Sequence, residues 1–417
     1  MMSTLVGILL SYLLATLVSL VLLYVWQHRR YYYLGFQLPG MSLLRNLRFL
    51  YTFCVIFGSM EMLPKKLVKF VEEERLMHPS MTKFWYGWKL MVIIFNPDLI
   101  QKTLHTHLQK DTSVYGMFEP FINGPGLLHD NVMARWKAHR KIITQASFTL
   151  SALKTHLKIF HDEANILADK LGLEADKGRT IEPEHVVELA SLSMVVRSLT
   201  GLDLKIQQTC VSKHPFGGAV TDNFEVFVRR MVKQPWLLNA ALFSLSEDKK
   251  RETNASRKAR AVAEAIIARV KAKVLEENAK REETTRKEGK ASQHDLNLHG
   301  NSTEERLERN SSHSKSNSEY VPERIENILE NSRDCNNFTL ENFTDTAPLY
   351  NFVEVIIRDQ LNPNIPQQDV LTFDELVSEI ITMLFTGMDT TKTANVIVLI
   401  MLALHPTIQQ EVRFLLM

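Results

Sequence analysis

The stretch from Glu379 to Thr393, EIITMLFTGMDTTKT, decides how the chain reads. It lies inside a long helix-periodic segment, residues 373–404, that opens at Phe373-Asp374-Glu375-Leu376. Three of its features are odd for a helix built only for packing. Gly387 in a helix interior costs about 1 kcal/mol relative to Ala. Asp389 stands among apolar neighbours. Thr390 and Thr391 are weak helix formers, and their hydroxyls can bond back to the preceding turn and bend it. Together they predict a place where the helix opens, with an acid and an alcohol side by side. Such a pair suits proton delivery to a bound oxygen atom. The same residues also suit a solvent-facing polar patch on an amphipathic helix, and the pattern alone leaves both open.

Outward from this stretch, other segments carry the same helical periodicity: residues 152–171, 184–200, 222–231 and 257–278, the last with Val262, Ile266, Val270 and Val274 on one stripe. Strand-like runs are short and early, at 83–88 and 89–95. The expected fold is therefore mainly α with a small β-sheet, and there is no internal repeat. Residues 282–345 change character. They are rich in Ser, Asn, Glu, Lys and Arg and nearly free of large apolar residues, so they cannot bury enough surface to offset their ordering entropy. A disordered insertion is expected there, with a short helix around Pro322 to Glu330.

The chain has 417 residues, 49 Lys+Arg against 47 Asp+Glu, a formal charge of +2 and three cysteines. That balance gives no case for a nucleic-acid binder, which needs a concentrated basic stripe. Cys54, Cys210 and Cys335 are too few and too scattered for a disulfide scaffold or a multi-cysteine metal site, and no metal-ligand cluster is expected. His105, His107, His156 and His161 lack a carboxylate at zincin spacing. No P-loop, Rossmann or nucleophile-elbow motif occurs.

Residues 5–26, LVGILLSYLLATLVSLVLLYVW, contain no charge, and about 20 apolar residues cross the hydrocarbon core as a helix. Arg29 and Arg30 follow, then Tyr31, Tyr32 and Tyr33, which hold the following side in the cytosol and suit the interfacial belt. A cleaved signal peptide fits less well, since no charged region precedes the run and no cleavage site follows. Residues 1–30 are thus expected to be a transmembrane signal anchor, with the body on the cytosolic face. Leu38-Pro39-Gly40 then turns the chain into the domain. Five N-x-S/T sequons, at Asn254, Asn301, Asn310, Asn337 and Asn342, read with a cytosolic body as products of composition.

A second motif lies far upstream of the first. Gly126-Leu127-Leu128 precedes Arg135-Trp136-Lys137-Ala138-His139-Arg140-Lys141 and then Phe148. At spacing four, Trp136 and Arg140 share one helix face, where an indole N–H and a guanidinium can jointly grip a carboxylate. A basic surface helix with one anchoring tryptophan fits the same residues.

The two motifs in this order resemble the cytochrome P450 family. F-T-G-M-D-T-T followed by Leu404-His405-Pro406 is similar to its central helix and the helix after it, and W-x-x-x-R to an earlier helix that holds a heme propionate. The pattern from Gly126 through His139-Arg140-Lys141 to Phe148 is similar to the microsomal branch that includes fatty-acid ω-hydroxylases. The resemblance implies the P450 fold, bound heme, electrons from NADPH through a reductase partner, a lipophilic small-molecule substrate, and an endoplasmic-reticulum location. It gives Gly387, Asp389, Thr390 and Thr391 to oxygen activation and proton delivery, and Trp136 and Arg140 to heme. Thr386 stands where many members of that branch carry a Glu that esterifies a heme methyl, so a non-covalent heme is expected.

One family element is missing. The thiolate that pushes electron density onto iron sits in F-x-x-G-x-R-x-C-x-G, and none of the three cysteines has those neighbours. The expected organisation is an anchor (1–30), an N-terminal part of the P450 domain (31–281), the insertion (282–345) and the central helices (346–417), truncated at the C-terminus. The chain alone is then expected to be inactive. Two alternatives stay open: a non-catalytic, membrane-tethered remnant, and an unrelated helical adaptor.

Overall fold

An uncharged run makes the first helix, and a proline-glycine pair ends the second. The computed structural model describes residues 2–51, 63–86, 89–210, 212–297, 351–366 and 370–416. It divides into two units, Met1–Leu108 with Val228–Leu238 and Gln109–Phe227 with Asn239–Met417.

The first unit holds α1 (Met2–Gln27), α2 (Arg29–Gln37), α3 (Leu43–Tyr51), α4 (Leu63–Met77), β1 (Met81–Tyr86), β2 (Lys89–Ile94) and α5 (Pro97–Thr106). Along α1 the side chains of Leu13, Leu17, Leu20 and Trp26 are exposed. The axis turns by 66° between residues 11–27 and α2. Leu38 caps α2, Pro39 follows, and Gly40, at φ 142°, pairs with Lys83 of β1. A Cβ on Gly40 would lie 2.3 Å from the Lys83 nitrogen, so only glycine fits that approach. β1 and β2 form an antiparallel hairpin running from Met81 opposite Ile94 to Tyr86 opposite Lys89. This is the small early sheet expected from the sequence, starting two residues sooner; Trp88 lies outside the described residues. Asn96 caps α5 by accepting from the Leu99 N–H at 3.1 Å, with Pro97 at the first helical position.

In α3 the usual amphipathic arrangement is reversed. Asn46 is buried, donating to the Trp85 carbonyl (2.8 Å) and accepting from the Trp85 N–H (2.7 Å). Because its polar residue is used inward, α3 turns Leu43, Leu44, Leu47 and Tyr51 outward.

The second unit is helical throughout the described residues. It holds α6 (Thr112–Tyr115), α7 (Glu119–Ile122), α8 (Met133–Ser147), α9 (Leu150–Asp176), α10 (Pro183–Thr200), α11 (Ile206–Thr209), α12 (Pro215–Val228), α13 (Ala240–Ser244), α14 (Glu247–Asn297), α15 (Phe352–Leu361), α16 (Phe373–Leu404) and α17 (Pro406–Leu416). Where the sequence predicts plain helix to residue 231, Arg229–Lys233 forms a π turn, which belongs to the first unit. The core centres on α16, whose Leu376, Val377, Ile380, Ile381, Leu384 and Met388 are fully buried. By length and composition α16 would cross a membrane, but its first turns are the middle of this core. The second half, by contrast, exposes Ile397, Val398, Ile400, Met401 and Leu404. A capping box of Thr372 and Glu375 starts the helix.

α14 buries Ile266, Val270 and Val274 of the expected stripe and adds Ala255, Ala259 and Ala263. It runs further than the periodicity of 257–278 indicates and passes Glu282 into residues expected to be disordered. Exposed i,i+4 pairs carry it there, Lys280 with Glu276 (2.6 Å) and Lys287 with Glu283 (2.7 Å), each worth about 0.3–0.5 kcal/mol. Residues 298–345, with the short helix expected around Pro322, lie outside the described residues.

His214, at the start of α12, is buried, which pushes its pKa down to about 4. Its Nδ1 accepts the Phe216 N–H at 3.2 Å, as a neutral ring can. The unfolded chain protonates this histidine near pH 6.5 and the folded chain near pH 4. Stability is therefore lost as pH falls through that window, at about 1.4 kcal/mol per unit. His214→Asn, which keeps an acceptor for Phe216 and does not titrate, should reduce the loss between pH 6.5 and 5 by roughly 2 kcal/mol. Denaturant melts across that range check it, and equal acid sensitivity in both chains would refute it.

Candidate functional site

The site is built around Glu379, a carboxylate on α16 with no exposed surface. His139 of α8 places Nδ1 at 2.8 Å from Glu379 Oε1, and the Leu127 N–H donates to Oε2 at 3.2 Å. His139 Nε2 lies 3.6 Å from Glu375 Oε1, one turn earlier on α16. Burial opposes the charge on Glu375, but hydrogen bonds from Thr372 and the field of His139 and Arg135 hold its pKa below the usual carboxylate range.

The Leu127 loop is fastened on its other side too. Arg135 donates to Asp130 at 2.7 and 3.0 Å. Burial would raise the Asp130 pKa, yet Arg135 and the Val132 N–H bring it below the ordinary value. Gly126 sits so close to α16 that a Cβ would meet Thr382 Oγ1 at 2.4 Å.

On this platform stand Trp136 and Arg140. Trp136 is buried, and its indole N–H donates to the Leu127 carbonyl at 3.1 Å. Lys110 also donates to that carbonyl, and burial lowers its pKa. The indole donor expected to join the grip is thus engaged with the backbone. Arg140 is exposed, stacked 5.2 Å over the Trp136 ring, with no carboxylate partner among the described residues. An unpaired guanidinium braced on an indole fits the propionate end of a heme. The iron ligand is another matter: Cys210 is buried in the apolar core, while Cys54 and Cys335 lie outside the described residues. The described residues fit the propionate and supply no thiolate for the iron.

Further along α16, about 15 Å from Glu379 at 1.5 Å per residue, lies Asp389. The helix does not open at Gly387 as the sequence predicts; α16 is continuous from Phe373 to Leu404. Gly387 has a packing reason instead, since a Cβ there would lie 2.9 Å from Val195 Cγ2 of α10. The threonines do bond back to the preceding turn, Thr386 Oγ1 to the Thr382 carbonyl (2.8 Å) and Thr390 Oγ1 to the Thr386 carbonyl (2.6 Å), without breaking the helix. Asp389 turns to Lys392 at 3.0 Å. Thr391 is half-buried, and its carbonyl accepts from Asn395.

The family model for cytochrome P450 matches residues 50–414. The chain belongs to that family. Among the relatives are cytochrome P450 4g1 of Drosophila melanogaster, 25% identical over 334 residues (79% of this chain, 52% of the relative), and cytochrome P450 4A14 of Rattus norvegicus, 30% identical over 163 residues (39% and 31%). A solved cytochrome P450 structure, CYP102L1, is 14% identical with a TM-score of 0.49, covering 84% of this chain and 61% of its own. The chain spans about half the length, or less, of these curated relatives. The expected P450 membership, with a mainly helical fold and a small sheet, is borne out.

Sequence reasoning missed Glu379, His139, Val195 and Lys392 as parts of this arrangement. His139 was within reach: Trp136, His139 and Ile143 follow i, i+3, i+7 and form the buried face of α8, but the cations around His139 give the segment the look of a surface helix.

The Gly387–Val195 approach predicts a coupled pair. Gly387→Ala gains helix propensity but forces Val195 aside, for a net loss of about 1 kcal/mol. Adding Val195→Ala should recover that strain, giving a double-mutant coupling of about 2 kcal/mol in chemical denaturation. Additive effects would show that α10 does not press on Gly387.

Proposed function

We propose that this chain is part of a heme-dependent monooxygenase acting on a lipophilic small molecule. Its N-terminal helix would hold it in the endoplasmic-reticulum membrane with the body on the cytosolic face, and a reductase would supply electrons from NADPH. The observation that carries this reading is the unpaired Arg140 guanidinium, braced on Trp136 and tied through Leu127 and Glu379 to the helix bearing the Gly387–Thr391 motif. When bound, heme supplies the redox chemistry of oxygen activation. Arg140 would hold its propionate, and Asp389 and Thr390 would move protons toward the reacting oxygen. Thr386 offers a hydroxyl rather than a carboxylate, so no ester to heme would form. Support for the membrane reading comes from the uncharged α1 and from the outward leucines of α3 beside Arg45 and Arg48, a composition suited to the interface.

A second reading, a membrane-tethered chain without heme, is favoured by one observation: Cys210 is packed in the core, and no cysteine of the 417 residues has the ligand motif. The carbon-monoxide difference spectrum tests the two together. These 417 residues alone should give no thiolate-type spectrum and no NADPH-dependent turnover. Both should appear when a segment carrying F-x-x-G-x-R-x-C-x-G is appended. Arg140→Ala in that extended chain should weaken heme retention by roughly 1–3 kcal/mol, the worth of a charge-assisted bond. An appended chain that still takes up no heme would leave the tethered, non-catalytic reading.

A further inference from the structure

Lys392 is the lysine of G-M-D-T-T-K-T, and nothing in the proposed chemistry uses it. It is buried, with only 9% of its side chain exposed. Its ammonium faces three carboxylates: Asp389 Oδ1 at 3.0 Å on its own helix, and Glu184 Oε1 at 3.5 Å and Glu188 Oε2 at 3.7 Å on α10. Glu188 is itself almost wholly buried, and its Oε1 has no hydrogen-bond partner. That oxygen occupies the space where a Cβ on Gly217 would stand, 2.0 Å away, so Glu188 has no room to swing toward α12. Among the described residues, its ion pair is with Lys392.

The alcohol beside the acid points elsewhere. Thr390 Oγ1 donates to the Thr386 carbonyl at 2.6 Å, and the Asp389 carboxylate is drawn along the helix to position 392 and toward α10. Acid and alcohol are adjacent in sequence but separately engaged.

We propose that Lys392 is a positioning residue for Asp389: its ammonium, shared with Glu188 and Glu184, tethers the Asp389 carboxylate toward α10 and away from the Thr390 hydroxyl. Proton delivery from Asp389 then requires this tether to loosen, and α10 gains a hold on the chemistry of α16 without touching substrate. Electrostatics agree with the geometry. Burial alone would lower the Lys392 pKa, but its hydrogen bond to Asp389 and the charges of Asp389, Glu188 and Glu184 raise it overall. Burial raises the pKa of Glu188 against the opposing fields of Lys392, Lys213 and His185.

The proposal rests on Asp389 being the proton-handling acid, yet its test reads only the tether and needs no heme. The full chain in detergent is treated with a water-soluble carbodiimide and glycine ethyl ester, and modification is read by peptide mass spectrometry. Exposed Glu247 and buried Glu163 and Glu379 serve as internal references. Lys392→Met should raise Asp389 modification relative to Glu247 by roughly threefold, as expected for release of a partly screened ion pair. Lys392→Arg, which keeps the charge, should match the parent chain. Removing Lys392 leaves Glu188 buried without a counter-charge and can loosen the fold. If Glu163 and Glu379 also become reactive, Lys392→Met with Glu188→Gln removes that burden, and the same rise at Asp389 is expected there. Unchanged Asp389 modification in a folded Met variant, or equal modification in the Met and Arg variants, overturns the proposal.

Discussion

A fully buried carboxylate sets the terms for the larger unit. Taking an ion the size of Glu379 out of water costs several kcal/mol unless its oxygens are matched. Matching it requires α8 to bring His139 to one oxygen and the loop before α8 to bring the Leu127 N–H to the other. Once both are in place, little freedom remains nearby. The Leu127 carbonyl is fixed to receive the Trp136 indole, and the indole in turn supports the Arg140 guanidinium. The loop's far end is closed by Asn131, which exchanges hydrogen bonds with the backbone of Lys110 at 2.7 and 2.8 Å. A basic helix that could float on the surface is thereby set in one pose.

The same device recurs across the bundle. Glu163 on α9 is buried and matched by Arg197 of α10 at 2.7 Å and by Gln207 of α11 at 2.5 Å. Glu188 of α10 and Lys392 of α16 make a looser version. Apolar burial supplies most of the driving force, but it is non-directional and does not fix how a helix is rotated about its axis. Hydrogen bonds have preferred angles and lengths, so each matched acid fixes one rotation. A close passage helps one of them: Gly387 against Val195 brings α16 near α10, where Lys392 meets Glu188.

Much of this fold was legible because its signals are local. The stripe at 262, 266, 270 and 274 and the two apolar β runs depend on neighbours within a few residues, and each lies within two residues of where the pattern put it. What could not be read depends on partners far away in the chain. Gly387 looks like a hinge until Val195 is seen beside it. His139 sits in a run of cations and looks exposed until a glutamate 240 positions later is found facing it. The far end of α14 was misjudged for another reason: polar composition argues against burial, but a helix laced with i,i+4 ion pairs needs none. Of the candidate site, the residue identities on α8 and α16 were accessible, while the directions of their donors were not. The Trp136 indole and the Thr390 hydroxyl both turn to backbone carbonyls, which no side-chain pattern reveals.

Lys83 carries a mechanical consequence. Its ammonium donates to the carbonyls of Gly35 and Phe36, at 2.7 Å each, where α2 ends, while its own backbone pairs with the Pro39–Met41 segment. Side chain and main chain of one strand residue thus grasp both the end of a helix and the strand of chain leaving it. Twisting α2 about its axis would strip both carbonyls from the ammonium together, so helix and hairpin turn as one rigid lever. The joint that remains is the bend at His28, between α1 and α2.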